Sequence, residues 1–220
     1  MDASHISVII PTYNGRHILD TTLPGNITKL HQYGITDILI VDDSSTDDTQ
    51  HIITTQYPAV TYLCTPQNVG FGQTCNLGAR AATGTTLWFL NNDMHIEQLD
   101  SQIIDQYLNC TDTFAVVPQI NRTRDGRLIN ESLTGGYWAG GWFSAELCPD
   151  TATSKLYKEG MPVLWACGGS FFIQSKTFQA FDGFDPLFSP FYFEDLDLSY
   201  RGWKSGQRCI YTASSSCQHL

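Results

Sequence analysis

Basic side chains are scarce in this chain, above all in its first half. The 220 residues include 12 lysines and arginines against 22 aspartates and glutamates, which gives a formal net charge of −10 at pH 7. Within the first 110 positions the basic residues are only Arg16, Lys29 and Arg80. Because contacts with nucleic-acid phosphates need lysine and arginine, this balance argues against nucleic acid as a partner. A small phosphorylated ligand would need another source of positive charge, and a divalent cation is the obvious one.

Long apolar runs and a secretory leader are also missing. No apolar run approaches the ~18 residues of a membrane-spanning helix, and the opening MDASHISVIIPTYN has no basic region followed by a long apolar stretch. The seven cysteines are odd in number and show no C-x-x-C spacing, which favours reduced, mostly core-filling thiols over a disulfide framework. With 42% hydrophobic residues, the sequence predicts a folded cytoplasmic protein without a membrane span.

The first half alternates short apolar runs with helical stretches. The predicted strands are 6–10, 37–41, 60–64 and 86–90. The predicted helices are about 17–32 with a kink at Pro24, 46–55 capped by Thr46, and 72–82. Continuous apolar strands separated by helices of about 10–15 residues are typical of a parallel sheet covered on both faces. Right-handed crossovers then give a doubly wound α/β layer.

The second half has a less regular pattern. It predicts strands at 114–120 and 168–174, and helices at 175–180 and 194–204. The stretch 121–162 is rich in glycine, threonine and tryptophan and shows no clear period, which is typical of a functional loop region. Trp138, Trp142 and Trp165 lie in or beside it. These tryptophans either belong to the core or stack on sugar rings or an apolar substrate, and the sequence leaves both open.

Polar residues follow three of the predicted strands. They are Pro11-Thr12-Tyr13-Asn14, Asp42-Asp43 and Asn91-Asn92-Asp93. Each cluster alone is explained by turn chemistry. Because the carboxyl ends of parallel strands line the ligand crevice of an open α/β sheet, the three together indicate a site. A carboxylate at Asp93 suits a divalent cation shared with a diphosphate, although it would also serve as a helix cap.

A second group of carboxylates lies near the end of the chain, in the segment FEDLDL. Glu194, Asp195 and Asp197 fall at a predicted helix start, where the helix dipole alone would favour them. Three aromatic residues precede them, Phe191 to Phe193. A carboxylate held beside such rings has a raised pKa and can act as a general base. Taken alone, His219 near the chain end is more typical of a disordered terminus than of a ligand.

Five segments together resemble the family 2 glycosyltransferases. They are SVIIPTYNG, IVDDSSTDDT, QNVGFGQTCNLGARAATG, LWFLNNDM and the block CGGSFFIQSKTFQAFDGFDPLFSPFYFEDLDLSYR. The order matches the family from about Ser7 to Tyr211, and the closest likeness is to a rhamnosyltransferase-like bacterial branch. The resemblance implies a GT-A fold, with a Rossmann-like, mostly parallel central sheet flanked by helices and an irregular acceptor-side region. It also implies one domain over 1–220, with 1–110 binding the nucleotide sugar and 111–220 the acceptor.

The resemblance assigns roles to individual positions. Asp195 would be the general base and Glu194 would help to bind the acceptor, while Asp93 and His219 would hold Mn²⁺ or Mg²⁺. The implied nucleotide-binding residues are Pro11, Thr12, Tyr13, Asn14, Asp42, Asp43, Asn68, Gly70, Asn76 and Asn92. The implied acceptor-binding residues are Trp165, Gly168 and Gly169. The expected reaction is inverting transfer from a UDP- or dTDP-sugar to a glycan or lipid-linked acceptor at the inner face of the membrane.

The sequence departs from the family pattern at two positions and leaves two other functions open. Asn91 stands where the metal motif usually has its first acid, and Gly15 stands where many members carry an acid. A sugar-nucleotide-forming nucleotidyltransferase is one alternative, but it would need a G-x-G-T-R-L-type loop that this chain lacks. A non-catalytic nucleotide-sugar-binding module is the other, because a fold does not guarantee its chemistry.

Overall fold

The structure, a computed structural model, describes residues 3–147 and 158–220. The strands of the first half are β1 (Ile6–Thr12), β2 (Asp37–Asp42), β3 (Thr61–Cys64), β4 (Thr86–Leu90) and β5 (Met94–Gln98). Those of the second half are β6 (Thr113–Arg124), β7 (Arg127–Asn130), β8 (Thr134–Ala139), β9 (Trp142–Leu147), β10 (Pro162–Val163), β11 (Ser170–Gln174) and β12 (Arg208–His219). The helices are α1 (Arg16–Gln32), α2 (Thr49–Gln56), α3 (Phe71–Ala81), α4 (Ser101–Leu108), α5 (Ser175–Ala180) and α6 (Glu194–Lys204).

Strands from both halves of the chain form one mixed sheet. Its order is β10-β12-β6-β11-β4-β1-β2-β3, with β5 paired to β12 and β7 paired to β6. The strands β3, β2, β1 and β4 are parallel, as the alternating pattern predicts. Strand β11 then pairs antiparallel with β4, and the long strands β6 and β12 pair parallel with each other. The α/β class is confirmed. The strands of the first half, β1 to β4, form the continuous parallel part of the sheet.

The central strands β1 and β4 are buried along their whole length. Alternate residues belong to two apolar layers, with Val8, Ile10 and Trp88 in one and Ile9 and Phe89 in the other. Helix α1 contributes to the first layer and α3 to the second. Burying each large apolar side chain contributes roughly 1.5–3 kcal/mol to the stability of the fold, so these two strands form a stable centre of the sheet. The polar residues that follow them are therefore held at fixed positions.

The predicted start of helix α2 needs correction. Helix α2 begins at Thr49, three residues after the predicted cap at Thr46. The Thr46 N–H instead donates to Oδ1 of Asn14 at 2.8 Å, and Asp47 accepts a hydrogen bond from the N–H of Thr49. Helix α1 continues through Pro24 to Gln32. No helix in the described ranges is both long and apolar enough to cross a bilayer.

The prediction of an irregular stretch over 121–162 is wrong for its described residues. Strands β7, β8, β9 and β10 lie there, and two tight hairpins organise them. Asp125 and Gly126 turn the first hairpin, and Gly140 and Gly141 turn the second, all four with positive φ. Two consecutive residues with positive φ match the right-handed twist of a hairpin, which explains the Asp-Gly and Gly-Gly pairs. Residues 148–157 lie outside the described part.

The cysteines divide between interior and surface. Cys75, Cys209 and Cys217 are buried, whereas Cys64 and Cys110 are exposed. Cys148 lies outside the described residues. The six described thiols are free, as the absence of a paired spacing predicts, but only about half of them fill the core.

Candidate active site

A cavity of about 260 Å³ opens where β1, β2 and β4 end, and we name it the strand-end cavity. All three polar clusters predicted to converge at this edge contribute to it. The predicted nucleotide-binding residues that line it are Pro11, Thr12, Tyr13, Asp43, Asn68, Gly70 and Asn92. Asn91 also lines it, and Pro190 and Phe191 form the wall on the acceptor side.

Asp43 organises one wall of the strand-end cavity. Its carboxylate accepts hydrogen bonds from the backbone N–H groups of Val69 and Gly70, each at 2.8 Å. The hydroxyl of Thr65 donates a third at 2.9 Å. Asp43 is only 4% exposed, so these donors compensate for burying its charge. The carboxylate therefore fixes the loop between β3 and α3.

Gly70 brings two parts of the chain unusually close. Its φ is +89°, and a Cβ at this position would lie 2.6 Å from the Cα of Pro190. The next residue, Phe71, donates its N–H to the carbonyl of Pro190 at 2.9 Å. Only glycine accommodates both the conformation and the contact. The cavity is thereby closed against the 189–193 segment.

Three of the predicted nucleotide-binding residues do not line the strand-end cavity. Asn14 accepts the hydrogen bond from Thr46 described above. Asp42 accepts hydrogen bonds from the Tyr62 hydroxyl at 2.7 Å and the Ser45 N–H at 2.9 Å. Asn76 binds the N–H and the carbonyl of Phe184. The structure thus places Asn14 after β1, Asp42 at the end of β2 and Asn76 in α3, and none of the three lines the strand-end cavity.

The structure also explains why position 15 is a glycine. A side chain at this position would overlap the hydroxyl of Thr12 and the amide of Asn92. Those two groups are joined by a hydrogen bond from Asn92 Nδ2 to Thr12 Oγ1 at 3.0 Å. The absence of a side chain at Gly15 lets this bond form and links the ends of β1 and β4.

The predicted metal ligands Asp93 and His219 meet where β5 pairs with β12. His219 closes β12, and its Nε2 lies 3.1 Å from Oδ2 of Asp93. Its Nδ1 lies 2.5 Å from Oε2 of Glu131. Hydrogen bonds to these two carboxylates raise the pKa of His219 to about 9. The terminal histidine is therefore an ordered part of the sheet, contrary to the disorder expected of it in isolation.

Two buried oxygens of the 91–93 segment have no hydrogen-bond partner. They are Oδ1 of Asp93 and Oδ1 of Asn91. Buried polar atoms are nearly always satisfied, so the unpartnered Oδ1 of Asp93, on a carboxylate that contacts an imidazole, fits a divalent cation. Within the described ranges, no three His, Cys, Asp or Glu side chains converge as a complete metal set. A cation here would complete its coordination with phosphate oxygens or water, as Mn²⁺ and Mg²⁺ commonly do.

Asp195 lies at the start of α6, behind the strand-end cavity. Its Oδ2 accepts the N–H of Gly168 at 2.9 Å, and its Oδ1 accepts the N–H of Leu196 at 2.7 Å. Burial raises the pKa of Asp195 despite these two hydrogen bonds. A raised pKa makes a carboxylate a stronger proton acceptor, which is the property a general base needs.

Glu194, the residue before Asp195, also has a raised pKa. Burial, and then the neighbouring Asp195 charge, raise the pKa of Glu194 to about 7. Its Oε2 is buried without a partner. The three preceding aromatic residues do not enclose it, because Phe191, Tyr192 and Phe193 are 57%, 73% and 64% exposed. The stem of Glu194 instead lies close to Gly72 at the start of α3.

The predicted acceptor-side glycines connect the two carboxylate groups. Gly168 donates to Asp195 as described, and the carbonyl of Gly169 accepts the N–H of Asn91 at 2.9 Å. A Cβ on Gly169 would lie 2.6 Å from the Cε of Met94, so a larger residue here would displace the end of the Met94 side chain. Trp165 is bound through its backbone to the hydroxyl of Thr134.

A second and larger cavity, of about 850 Å³, lies beside α6, and we name it the aromatic cavity. Its walls come from β8, β9 and α6, with Trp138, Phe143, Leu196, Tyr200 and Trp203 among the lining residues. Asp197 and Phe193 also line it. Trp165 is not among these residues. The sequence singled out Trp138, Phe193 and Asp197 but not their grouping in one cavity, because that grouping depends on the β8–β9 hairpin.

Comparisons with known proteins agree with this arrangement. The family model described as glycosyl transferase family 2 matches residues 7–172. N-acetylglucosaminyl-diphospho-decaprenol L-rhamnosyltransferase of Mycobacterium tuberculosis is 28% identical over 204 residues, covering 83% of this chain and 66% of the relative. The chain thus spans slightly less than two thirds of that relative's length.

Solved structures show the same fold at low sequence identity. GalNAc-T7 with UDP, GalNAc and Mn²⁺ has a TM-score of 0.76 at 20% identity, covering 97% of this chain and 43% of that one. The mannosyltransferase PcManGT from Pyrobaculum calidifontis, with GDP-Man and Mn²⁺, has a TM-score of 0.66 at 19% identity, with coverages of 98% and 56%. S. aureus TarS with UDP-GlcNAc has a TM-score of 0.66 at 16% identity, with coverages of 100% and 59%.

These similarities confirm the predicted GT-A fold. The family match covers most of the chain, from β1 into β11, and it contains Asp93 and the lining residues of the strand-end cavity except Pro190 and Phe191. The chain belongs to glycosyl transferase family 2.

Proposed function

We propose that this chain is an inverting glycosyltransferase that moves a sugar from a nucleotide-diphosphate donor to a hydroxyl of a lipid-linked acceptor. One observation carries the proposal. The segment 167–169 contacts Asp195 at one glycine and the loop before Asp93 at the next, so a general base and a cation site share one rigid support. Such an arrangement suits transfer between a diphosphate donor and a hydroxyl.

The donor end of the site is the strand-end cavity. Its lining offers the exposed ring of Tyr13 and the amides of Asn68 and Asn92, which suit a nucleoside. Asp93, His219 and Asn91 would hold a Mn²⁺ or Mg²⁺ ion. When bound, that ion supplies the positive charge that the scarce lysines and arginines do not, and it stabilises the departing diphosphate. Asp43 contributes indirectly, because it fixes the loop that carries Gly70.

Asp195 would accept the proton of the acceptor hydroxyl. Its Oδ2 is oriented by Gly168, and the raised pKa strengthens it as a base. The acceptor oxygen would then attack the anomeric carbon from the side opposite the nucleotide, which inverts its configuration. Glu194 is the neighbouring residue, and because its buried Oε2 has no hydrogen-bond partner, we assign it a role in binding a second acceptor hydroxyl.

The aromatic cavity would receive the acceptor. It adjoins Asp195 through Leu196 and Asp197, and aromatic side chains bind both sugar rings and apolar chains. The M. tuberculosis relative is named for a decaprenol-linked acceptor and an L-rhamnosyl donor. By similarity, we infer a lipid-linked acceptor, a dTDP- or UDP-activated deoxyhexose and action at the cytoplasmic face of the membrane.

A calorimetric titration with UDP, dTDP, GDP and CDP, each with Mn²⁺ and with EDTA, tests the donor site. We expect one nucleotide to bind tightly in Mn²⁺ and at least tenfold more weakly in EDTA. Equal affinity in both conditions would contradict the cation assignment. Failure of all four nucleotides to bind would contradict the donor site itself and favour a non-catalytic module.

A further inference from the structure

A carboxylate that the motifs do not include lies against the imidazole of His219. The ring touches Asp93 through Nε2 at 3.1 Å and Glu131 through Nδ1 at 2.5 Å, on opposite sides. The side chains of His219 and Glu131 are 19% and 12% exposed, so water competes little with their contact. The contact with Glu131 is thus the shorter of the two, although Glu131 and His219 are 88 positions apart in the chain.

The surroundings of Glu131 hold its carboxylate in place. It lies between β7 and β8, and its backbone N–H donates to the carbonyl of Ile120 at 2.8 Å. Its Oε1 accepts a hydrogen bond from Nη1 of Arg122 at 3.2 Å. One carboxylate oxygen therefore binds the guanidinium and the other binds the imidazole. The positive charge of Arg122 also offsets the charge that Glu131 adds near Asp93.

We infer that Glu131 is a positioning residue that prepares His219 to bind the cation, an inference that rests on the proposed function. A carboxylate that accepts the Nδ1–H fixes both the tautomer and the orientation of the ring. The Nε2 edge of the ring is then held facing Asp93, whose Oδ1 has no partner, and a cation bound there would replace the Nε2 proton. Outer partners of this kind commonly contribute 10–100-fold to metal affinity.

A Mn²⁺ titration followed by electron paramagnetic resonance tests this role, with Mn²⁺ alone as the probe. We expect Glu131→Ala to weaken Mn²⁺ affinity by roughly tenfold or more. Glu131→Gln should restore part of that loss, because its amide oxygen still accepts the Nδ1–H. The matched control is Glu97→Gln, which removes an equal charge from an exposed position on β5 and should leave the affinity unchanged.

A double-mutant cycle separates this inference from the proposed function. His219→Ala should weaken Mn²⁺ binding, and the pair Glu131→Ala with His219→Ala should be no weaker than His219→Ala alone. If His219→Ala has no effect, the cation site itself is wrong. If His219→Ala weakens binding but Glu131→Ala only lowers the melting temperature, Glu131 is structural and the inference fails.

Discussion

The backbone N–H of Gly168 donates a hydrogen bond to Oδ2 of Asp195 at 2.9 Å. This bond aims the carboxylate through the main chain, without a flexible side chain between them. The carbonyl of the next residue, Gly169, accepts the N–H of Asn91 in the loop before Asp93. Displacing the 167–169 segment would therefore disturb both ends of the site together.

Asp195→Asn should abolish transfer while leaving donor binding intact. The amide retains an oxygen for the Gly168 N–H but cannot accept a proton at neutral pH. We expect transfer to fall by roughly 10²–10⁴-fold, the usual contribution of a general base. Single-turnover transfer and nucleotide calorimetry together check this. Near-normal transfer in the variant would remove Asp195 from the mechanism.

Asp93→Ala should weaken nucleotide binding only when Mn²⁺ is present. The variant removes the buried Oδ1 that has no partner in the protein. We expect at least a tenfold loss of nucleotide affinity in Mn²⁺ and little change in EDTA. Asp20→Ala removes the same charge from an exposed position on α1 and serves as the control. An unchanged affinity in Mn²⁺ would show that Asp93 does not hold the cation.

Glu194 should make folding stability depend on pH. Its folded-state pKa is about 7 against an ordinary value of 4.5, so the folded chain keeps a proton that the unfolded chain releases. The free energy of unfolding therefore falls as pH rises from 4.5 through about 7, by up to about 3 kcal/mol. Asp195 adds a slope of the same sign, because burial raises its pKa as well.

Glu194→Gln should remove the part of this slope that Glu194 contributes. Relative to the unmodified chain, the variant should gain stability at about pH 8 and gain little at about pH 4. Urea unfolding across this range measures the difference. Parallel curves for the two proteins would mean that Glu194 titrates normally.

Gly70→Ala should damage the strand-end cavity more than a comparable change elsewhere. Gly70 and Gly126 both have positive φ, at +89° and +70°, but only Gly70 lies against Pro190. Positive φ should cost Gly126→Ala about 1 kcal/mol, and it should cost Gly70→Ala about 1–3 kcal/mol, because φ +89° with ψ 166° is a region that essentially only glycine populates. Gly70→Ala should additionally lower nucleotide affinity, whereas Gly126→Ala should not. Thermal unfolding and nucleotide calorimetry distinguish the two effects, and equal nucleotide affinities would show that this contact does not shape the site.

Trp138→Ala should weaken acceptor binding without changing donor binding. Trp138 is 75% exposed and lines the aromatic cavity, whereas Trp142 is 79% exposed and does not line it. We expect Trp138→Ala to raise the acceptor KM by roughly tenfold, equivalent to about 1.4 kcal/mol. Trp142→Ala should leave it nearly unchanged. Equal effects of the two variants on transfer would place the acceptor outside this cavity.

The predictable parts of this fold are those whose local pattern coincides with burial. Strands β1, β2 and β4 are apolar runs because both of their faces are covered, and their polar ends converge as expected. The β8–β9 hairpin was missed because its strands are mostly exposed, so no buried face imposes an alternating pattern. The Gly140-Gly141 pair in its turn is the one feature of the sequence that indicates this hairpin.

The site itself was predictable where motifs supply the residues and not where distant side chains meet. Asp93, His219 and Asp195 follow from the family resemblance; the structure brings Asp93 and His219 into contact, and their roles stay predictions. Glu131 has no local signal, because its partner lies 88 residues further along the chain. Asp42 and Asn76 fall within motifs, yet their side chains bind neighbouring loops, a distinction that only three-dimensional contacts reveal.

Pairing of β12 with β5 places His219 opposite Met94, one residue after Asp93. A ligand held between Asp93 and His219 can bind only while these two strands remain together. Its binding energy is therefore added to the work of separating them, in proportion to the logarithm of ligand concentration. Amide hydrogens of this strand pair should then exchange with solvent more slowly as the ligand is added, which makes the sheet edge a reporter of occupancy at the site.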